Sequence, residues 1–140
     1  MVTSTFEKIM RKVIQENTVR EASCVEELRA MRDALDILGG KWKLMILRYL
    51  TNREAQDIHF KKMQREILGI SAKVLTKELR DLEQNLLVSR QSSDEPVRVF
   101  YKITSYGKSV VPVTELLVDW GLAYREKIKH AHSASANDMI

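Results

Sequence analysis

The stretch from Leu68 to Leu86 constrains this chain most. Leu68-Gly69-Ile70 reads as a turn, and Ser71 is a residue type that caps helix N-termini by accepting a backbone N–H with its hydroxyl. Leu75, Leu79, Leu82 and Leu86 fall at i, i+4, i+7 and i+11, so the spacing predicts a helix reaching about Asn85 with one buried stripe. Lys73, Thr76, Lys77 and Arg80 lie on the opposite side, mostly in the first half of that helix. Such a helix suits a major groove: its N-terminal N–H groups favour phosphate, and Lys, Arg and Thr reach base edges. A solvated face with routine i,i+4 charge pairs is the alternative, and Glu78, Asp81 and Glu83 sustain it.

Two strands alternating in period two are expected next. Leu87 to Gln91 forms the first; Val97, Val99, Tyr101 and Ile103 share a face of the second, with Ser92 to Pro96 as the loop. Helix, turn, helix and then hairpin is the winged helix-turn-helix order, in which the hairpin tip rests on backbone or minor groove. Arg98 is the expected wing contact, whereas Asp94 and Glu95 near the tip would repel phosphate. Upstream, a helix from Lys41 to about Thr51 carries Trp42, Met45, Ile46, Tyr49 and Leu50 on one face, and Leu44 and Leu47 leave little of the rest polar. It is expected at the centre of the core, with Trp42 as an anchor. Ile58 and Phe60 alternate around His59 as a very short strand, and a short helix follows with Met63 and Ile67 buried. His59 reads as an ordinary surface histidine.

The ends of the chain are amphipathic. Phe6, Ile9, Met10, Val13 and Ile14 predict a helix over 5–17, and Leu28, Met31, Leu35 and Leu38 predict another, stopped by Gly39-Gly40. A last helix from near Thr104 to about Lys129 carries Val110, Val113, Leu117, Trp120 and Tyr124 on one stripe with Leu116 beside it, and Pro112 is expected to kink it. That stripe has no obvious intrachain partner, so a dimer contact is expected, matching a palindromic operator. Packing back on the chain's own first helix is the alternative. The expected organisation is mainly α with a small β-hairpin wing. One winged helix-turn-helix domain covers 1–130: N-terminal helices over about 1–38, a DNA-binding unit over 41–104, and a C-terminal dimerisation helix over 105–130. A flexible tail follows at 131–140.

Composition fits. The 140 residues are 44% hydrophobic, enough for one unaided core. No apolar run approaches the roughly 18–20 residues that span a bilayer, and Glu7 and Glu16 interrupt the basic Lys8, Arg11 and Lys12, so a cytoplasmic protein without membrane partners is expected. Between Lys41 and Arg80, ten Lys and Arg face four acids, while the rest of the chain carries a net negative balance. A basic centre of this kind is the footprint of a polyanion-binding module, although solvated lysines alone produce weaker versions of it. Lys61, Lys62 and Arg65 are expected on phosphates; Lys73, Thr76, Lys77 and Arg80 are expected to read sequence.

Other functions find less support. The single cysteine, Cys24, forms no internal disulfide, and His130 and His132 lie in a polar tail, so no metal or other cofactor is expected. Gly40-Lys41 precedes Trp42 where a phosphate-binding loop needs Ser or Thr, and no HExxH or nucleophile–base set stands out, so no enzyme is expected. Two alternatives stay open: a thiol sensor through Cys24, helped by Arg20 or Arg29 but opposed by Glu21, Glu26 and Glu27, and a winged-helix module for protein binding, suggested by the acidic wing tip.

Four ordered blocks carry a family resemblance over roughly residues 29–125. Leu35–Leu44 (LDILGGKWKL), Leu68–Glu83 (LGISAKVLTKELRDLE), Arg98–Lys108 (RVFYKITSYGK) and Trp120-Gly121 resemble the HxlR-type regulators, winged-helix proteins related to the MarR group. The resemblance implies a dimeric repressor or activator and places DNA contacts at Ser71, Lys73, Thr76, Lys77 and Arg80, with Arg98 in the wing. A small-molecule effector is compatible with it but marked by no residue. Three departures stand out. The family often has a cysteine twelve positions before the hallmark lysine, where this chain has Arg29, with Cys24 five residues further upstream. Lys61 stands where the first helix of the motif often has a capping Ser or Asn. The segment 5–17 lies ahead of the matching blocks and is expected to enlarge the dimer interface through Phe6, Ile9, Met10 and Val13, beside Val113, Leu116, Leu117, Trp120 and Tyr124.

Overall fold

The computed structural model describes residues 12–15 and 18–138, and the chain divides into two compact units, Met1–Gly40 and Lys41–Ile140. In the first, β1 (Lys12–Gln15) pairs antiparallel with β2 (Thr18–Glu21), with Lys12 opposite Glu21 and Gln15 opposite Thr18. This corrects the helix expected over 5–17: Val13 and Ile14 lie in a strand, while Phe6, Ile9 and Met10 lie outside the described residues. The β-branched Val13, Ile14, Thr18 and Val19 favour extended backbone, and pairing satisfies it. Helix α1 (Cys24–Leu38) starts at Ser23, whose hydroxyl accepts from the Glu26 N–H at 3.2 Å. It ends where the Gly39 N–H donates to the Leu35 carbonyl at 2.7 Å. None of its residues is buried, and Val25, Leu28, Met31 and Leu35 make an exposed apolar stripe.

The second unit runs α2 (Lys43–Asn52), α3 (Phe60–Glu66), α4 (Ala72–Gln84), β3 (Val88–Asp94), β4 (Val97–Ile103), a 3-10 turn (Gly107–Val110) and α5 (Val111–Asp138). Its core is Ile46, Leu47 and Leu50 of α2 with Ile58, Met63, Leu75, Leu82 and Val88. Burying each such side chain contributes roughly 1.5–3 kcal/mol. Trp42 is not in this core: it stands at the N-cap of α2, half-buried, with Lys41 Nζ 4.8 Å from its ring centroid. It covers the turn at Gly69, which has φ of +88° and so accepts glycine readily. Met45 is also exposed, because Leu47 rather than Met45 faces inward.

Strands β3 and β4 form an antiparallel hairpin, registered from Val88–Ile103 to Asp94–Val97, so pairing extends beyond the expected end at Gln91. The Tyr101 N–H donates to the Ile58 carbonyl at 2.7 Å, tying the wing to the segment before α3; Phe60 belongs to α3 and not to a strand. Leu86 leaves the leucine stripe: it is exposed with φ of +63°, and Leu87 takes the buried position. Gly107 is required by contact, since a Cβ there would lie 2.2 Å from the Leu87 carbonyl oxygen.

Helix α5 starts later and ends later than expected. Pro112 is its second residue, a place helices accept, rather than an interior residue of a helix begun at Thr104. Val110 and Thr114 are buried and Val113 half-buried where the first turns pack on α2; Leu116, Leu117, Trp120 and Tyr124 are exposed. Trp120 and Tyr124 stack, with centroids 5.5 Å apart. The helix passes Lys129 and reaches Asp138, helped by the strong helix formers Ala131 and Ala134. Among the described residues no helix is long and apolar enough to cross a membrane.

Candidate nucleic-acid interface

Helix α4 is fixed by its cap and its stripe. Ser71 Oγ accepts from the Val74 N–H at 3.1 Å, and Leu75, Leu79 and Leu82 point into the core. The opposite face is therefore presented outward: Lys73, Thr76, Lys77 and Arg80 are exposed and line one shallow concavity with Ala72 and Phe60. Thr76 Oγ1 donates to the Ala72 carbonyl at 2.8 Å. Lys77 Nζ lies 3.5 Å from Asp81 and 3.7 Å from Glu78, whereas Lys73 and Arg80 form no ion pair among the described residues.

Two acids of α4, Glu78 and Asp81, are held by a lysine of α2. Lys43 Nζ, on α2, sits 2.6 Å from Glu78 Oε2 and 3.4 Å from Asp81 Oδ2, and the Lys43 and Glu78 side chains are each only 12% exposed. Burial alone depresses the Lys43 pKa, but the hydrogen bonds and charges of Glu78 and Asp81 more than offset it and leave it raised. Two of the three acids that supported a merely solvated helix face are thus anchoring groups. Sequence missed Lys43 because its partners lie 35 or more residues away.

Helix α3 begins at His59, whose Nδ1 accepts from the Lys62 N–H at 3.2 Å, so the capping residue expected near Lys61 stands two positions earlier. Lys61 is exposed and shares a groove with Arg98 of the wing, together with Asp57 and Glu95. Phe60 borders both this groove and the α4 concavity, a role that its reading as a strand residue hid. Lys62 turns aside to Gln56 Oε1 at 2.9 Å and lies 3.9 Å from Glu66. Arg65 is exposed and lines neither concavity. The sequence-derived set thus falls into one cluster on α4 (Lys73, Thr76, Lys77, Arg80) with Ser71 at its N-cap, a Lys61–Arg98 pair in the wing groove, and Lys62 and Arg65 outside both concavities.

A second polar link joins α2 to α3. Tyr49 Oη donates to Glu66 Oε1 at 2.8 Å, and burial together with Glu66 pushes the Tyr49 pKa up to about 12. The Arg53 guanidinium lies 3.9 Å from the Tyr49 ring centroid. In the first unit, Cys24 is exposed at the start of α1, and Arg20 donates to both Glu26 oxygens at 2.8 and 2.9 Å. The Arg20 charge is thereby committed to Glu26, which it holds at a pKa of about 2.

Capped α3 and α4, the glycine turn between them and the hairpin that follows define a winged helix-turn-helix protein. The profile of the HxlR-like helix-turn-helix family matches residues 37–129, and the chain belongs to that family. It is 37% identical over 100 residues to an uncharacterised HTH-type transcriptional regulator of Methanothermobacter thermautotrophicus, covering 71% of this chain and 74% of that one. The crystal structure of the HTH-type transcriptional regulator YtcD superposes with a TM-score of 0.61 at 30% identity, over 74% of this chain and 97% of the other. The redox regulator HypR in its oxidised form superposes with a TM-score of 0.62 at 27% identity, over 67% and 95%. The chain is a transcriptional regulator of this helix-turn-helix kind.

Proposed function

We propose that the chain binds double-stranded DNA sequence-specifically as a homodimer on a palindromic operator, in the compartment that holds the chromosome. One observation carries this reading. The exposed face of α4 gathers Lys73, Thr76, Lys77 and Arg80, while Lys43 takes up Glu78 and Asp81 behind them. In the bound state α4 lies in the major groove, where Lys73, Thr76, Lys77 and Arg80 read bases. Ser71 and the N–H groups of the first turn, with Lys61, Lys62 and Arg65, meet phosphate, and Arg98 follows the backbone from the wing. Residues 41–104 are the DNA-binding unit. The exposed stripes of α1 and of α5, including Leu116, Leu117, Trp120 and Tyr124 with Val113 at their base, supply the dimer contact.

Fluorescence anisotropy with a duplex of mixed sequence tests the polyanion part: affinity should fall steeply and log-linearly with salt. Salt-independent binding, or none, removes the reading and leaves the acidic wing tip as a protein-binding surface.

A second reading rests on Cys24, exposed in a chain similar to a redox regulator. Oxidation would join the Cys24 thiols of two chains in a disulfide, releasing two protons and passing two electrons to an added diamide. If Cys24→Ser and the unaltered protein lose DNA to the same extent under diamide, this reading fails.

A further inference from the structure

We propose that the concavity on the outer face of α4 takes the 5-methyl group of a thymine, read by Thr76, Ala72 and Phe60 between the cations; this rests on α4 being a major-groove helix and names one base it selects. Ala72, Thr76 and Arg80 stand at i, i+4 and i+8 and share one row of the helix, with Lys73 and Lys77 in the row beside it. Thr76 Oγ1 donates to the Ala72 carbonyl at 2.8 Å, so its hydroxyl hydrogen is engaged within the helix and its methyl is the group left for a ligand. The Ala72 methyl lies one turn before it, and the half-buried Phe60 borders the same concavity from α3. Three apolar groups thus make a floor in the middle of a basic face.

A phosphate is bound by donors and gains nothing from such a floor. In the major groove one base carries an apolar group, the thymine 5-methyl, and Ala, the Thr methyl and Phe are the side chains that contact it. The polar rim makes the same choice. Lys73, Lys77 and Arg80 are donors only, and no carboxylate or amide lines the concavity among the described residues. Glu78 and Asp81 of the same helix are engaged by Lys43, at 2.6 and 3.4 Å. Thymine shows an O4 acceptor beside its methyl, which these donors match. Cytosine and 5-methylcytosine show an N4 amino donor there, which they do not.

Two libraries of random duplexes, one copied with thymidine triphosphate and one with deoxyuridine triphosphate, differ only in that methyl group. Selection by the full chain should enrich a thymine–adenine pair at a fixed position from the first library and lose that preference in the second. In fluorescence titrations of the enriched duplex, deoxyuridine in place of that thymine should weaken binding about fourfold, the effect of one buried methyl. A 5-methylcytosine–guanine pair at the position should not restore it. Thr76→Ser, which keeps the hydroxyl and loses the methyl, should bring the thymine-to-uracil affinity ratio close to one, while Thr76→Val, which keeps the methyl and loses the hydroxyl, should preserve it. Thr76 is exposed, so circular dichroism should show the same helix content in both variants. Equal binding of the thymine and deoxyuridine duplexes, a ratio that Thr76→Ser leaves unchanged, or one that Thr76→Val removes overturns the proposal and leaves α4 as a sequence reader. Full recovery with 5-methylcytosine overturns the choice of thymine. Failure of either library to yield any motif overturns the proposal together with sequence reading by α4.

Discussion

The Lys43 ammonium lies 2.6 Å from the Glu78 carboxylate, and both side chains are almost withdrawn from water. The pair joins α2 to the back of α4, so the basic face in front is oriented by acids of the same helix. Lys43→Met should cost roughly 2–4 kcal/mol, because Glu78 would keep a poorly solvated charge without a partner. Chemical denaturation measures this. Lys43→Met combined with Glu78→Leu should recover most of the loss, and simple additivity of the two changes would contradict the pairing.

On the outer face, the four candidate readers are not equivalent. Arg80 forms no ion pair among the described residues, while Lys77 must leave Asp81 at 3.5 Å to reach a base. Arg80→Ala should therefore lose about 1–3 kcal/mol of operator affinity and relax preference at one position, with Lys77→Ala losing less. Lys62→Ala should weaken binding to all sequences alike and flatten the salt dependence. Competition titrations with single-base operator variants separate these effects, and a changed sequence preference in Lys62→Ala would contradict its placement on phosphate.

Tyr49 gives the α2–α3 link a pH signature. Its hydroxyl is neutral when it donates to Glu66, and its pKa of about 12 lies above the ordinary tyrosine value of 10.0. The stabilisation it brings is complete below pH 10 and is lost as pH rises from there through 12. In an ultraviolet titration of the four tyrosines, one should ionise late in the unaltered chain, and that late step should vanish in Tyr49→Phe. Tyr49→Phe should also cost about 1 kcal/mol near neutrality.

Association should depend on the far part of α5. Trp120 and Tyr124 stack on each other in solvent, and Leu117 lies one turn before Trp120. Trp120→Glu should shift sedimentation from dimer to monomer without lowering helix content, because the side chain is exposed within the chain. A variant that stays dimeric would exclude this stripe from the interface.

Much of this arrangement was legible in sequence because it rests on local periodicity. Ser71, the leucines at 75, 79 and 82, and the alternation in β4 each specify one element by one spacing. What was misread depends on neighbours beyond the local window. Val13 and Ile14 fit a helical face as well as a strand, and it is pairing with Val19 and Arg20 that makes them a strand. Trp42 looked like a core residue because apolar residues surround it, but it lies just outside the first turn of α2. His59 is exposed, as expected of a surface histidine, and only its capping role escaped, because a capping imidazole has no periodicity to reveal it. Lys43 counted only as one more positive charge until the fold brought Glu78 to it.

Whether the outer face of α4 reads sequence is decided by selection of random duplex DNA with the purified full chain at physiological salt. An enriched inverted repeat is expected, with half-site centres about one helical turn apart, and in the Arg80→Ala variant it should weaken and lose its preference at one position of each half-site. Retention of DNA with no enriched motif, or enrichment unchanged by Arg80→Ala, would contradict sequence reading by the outer face of α4.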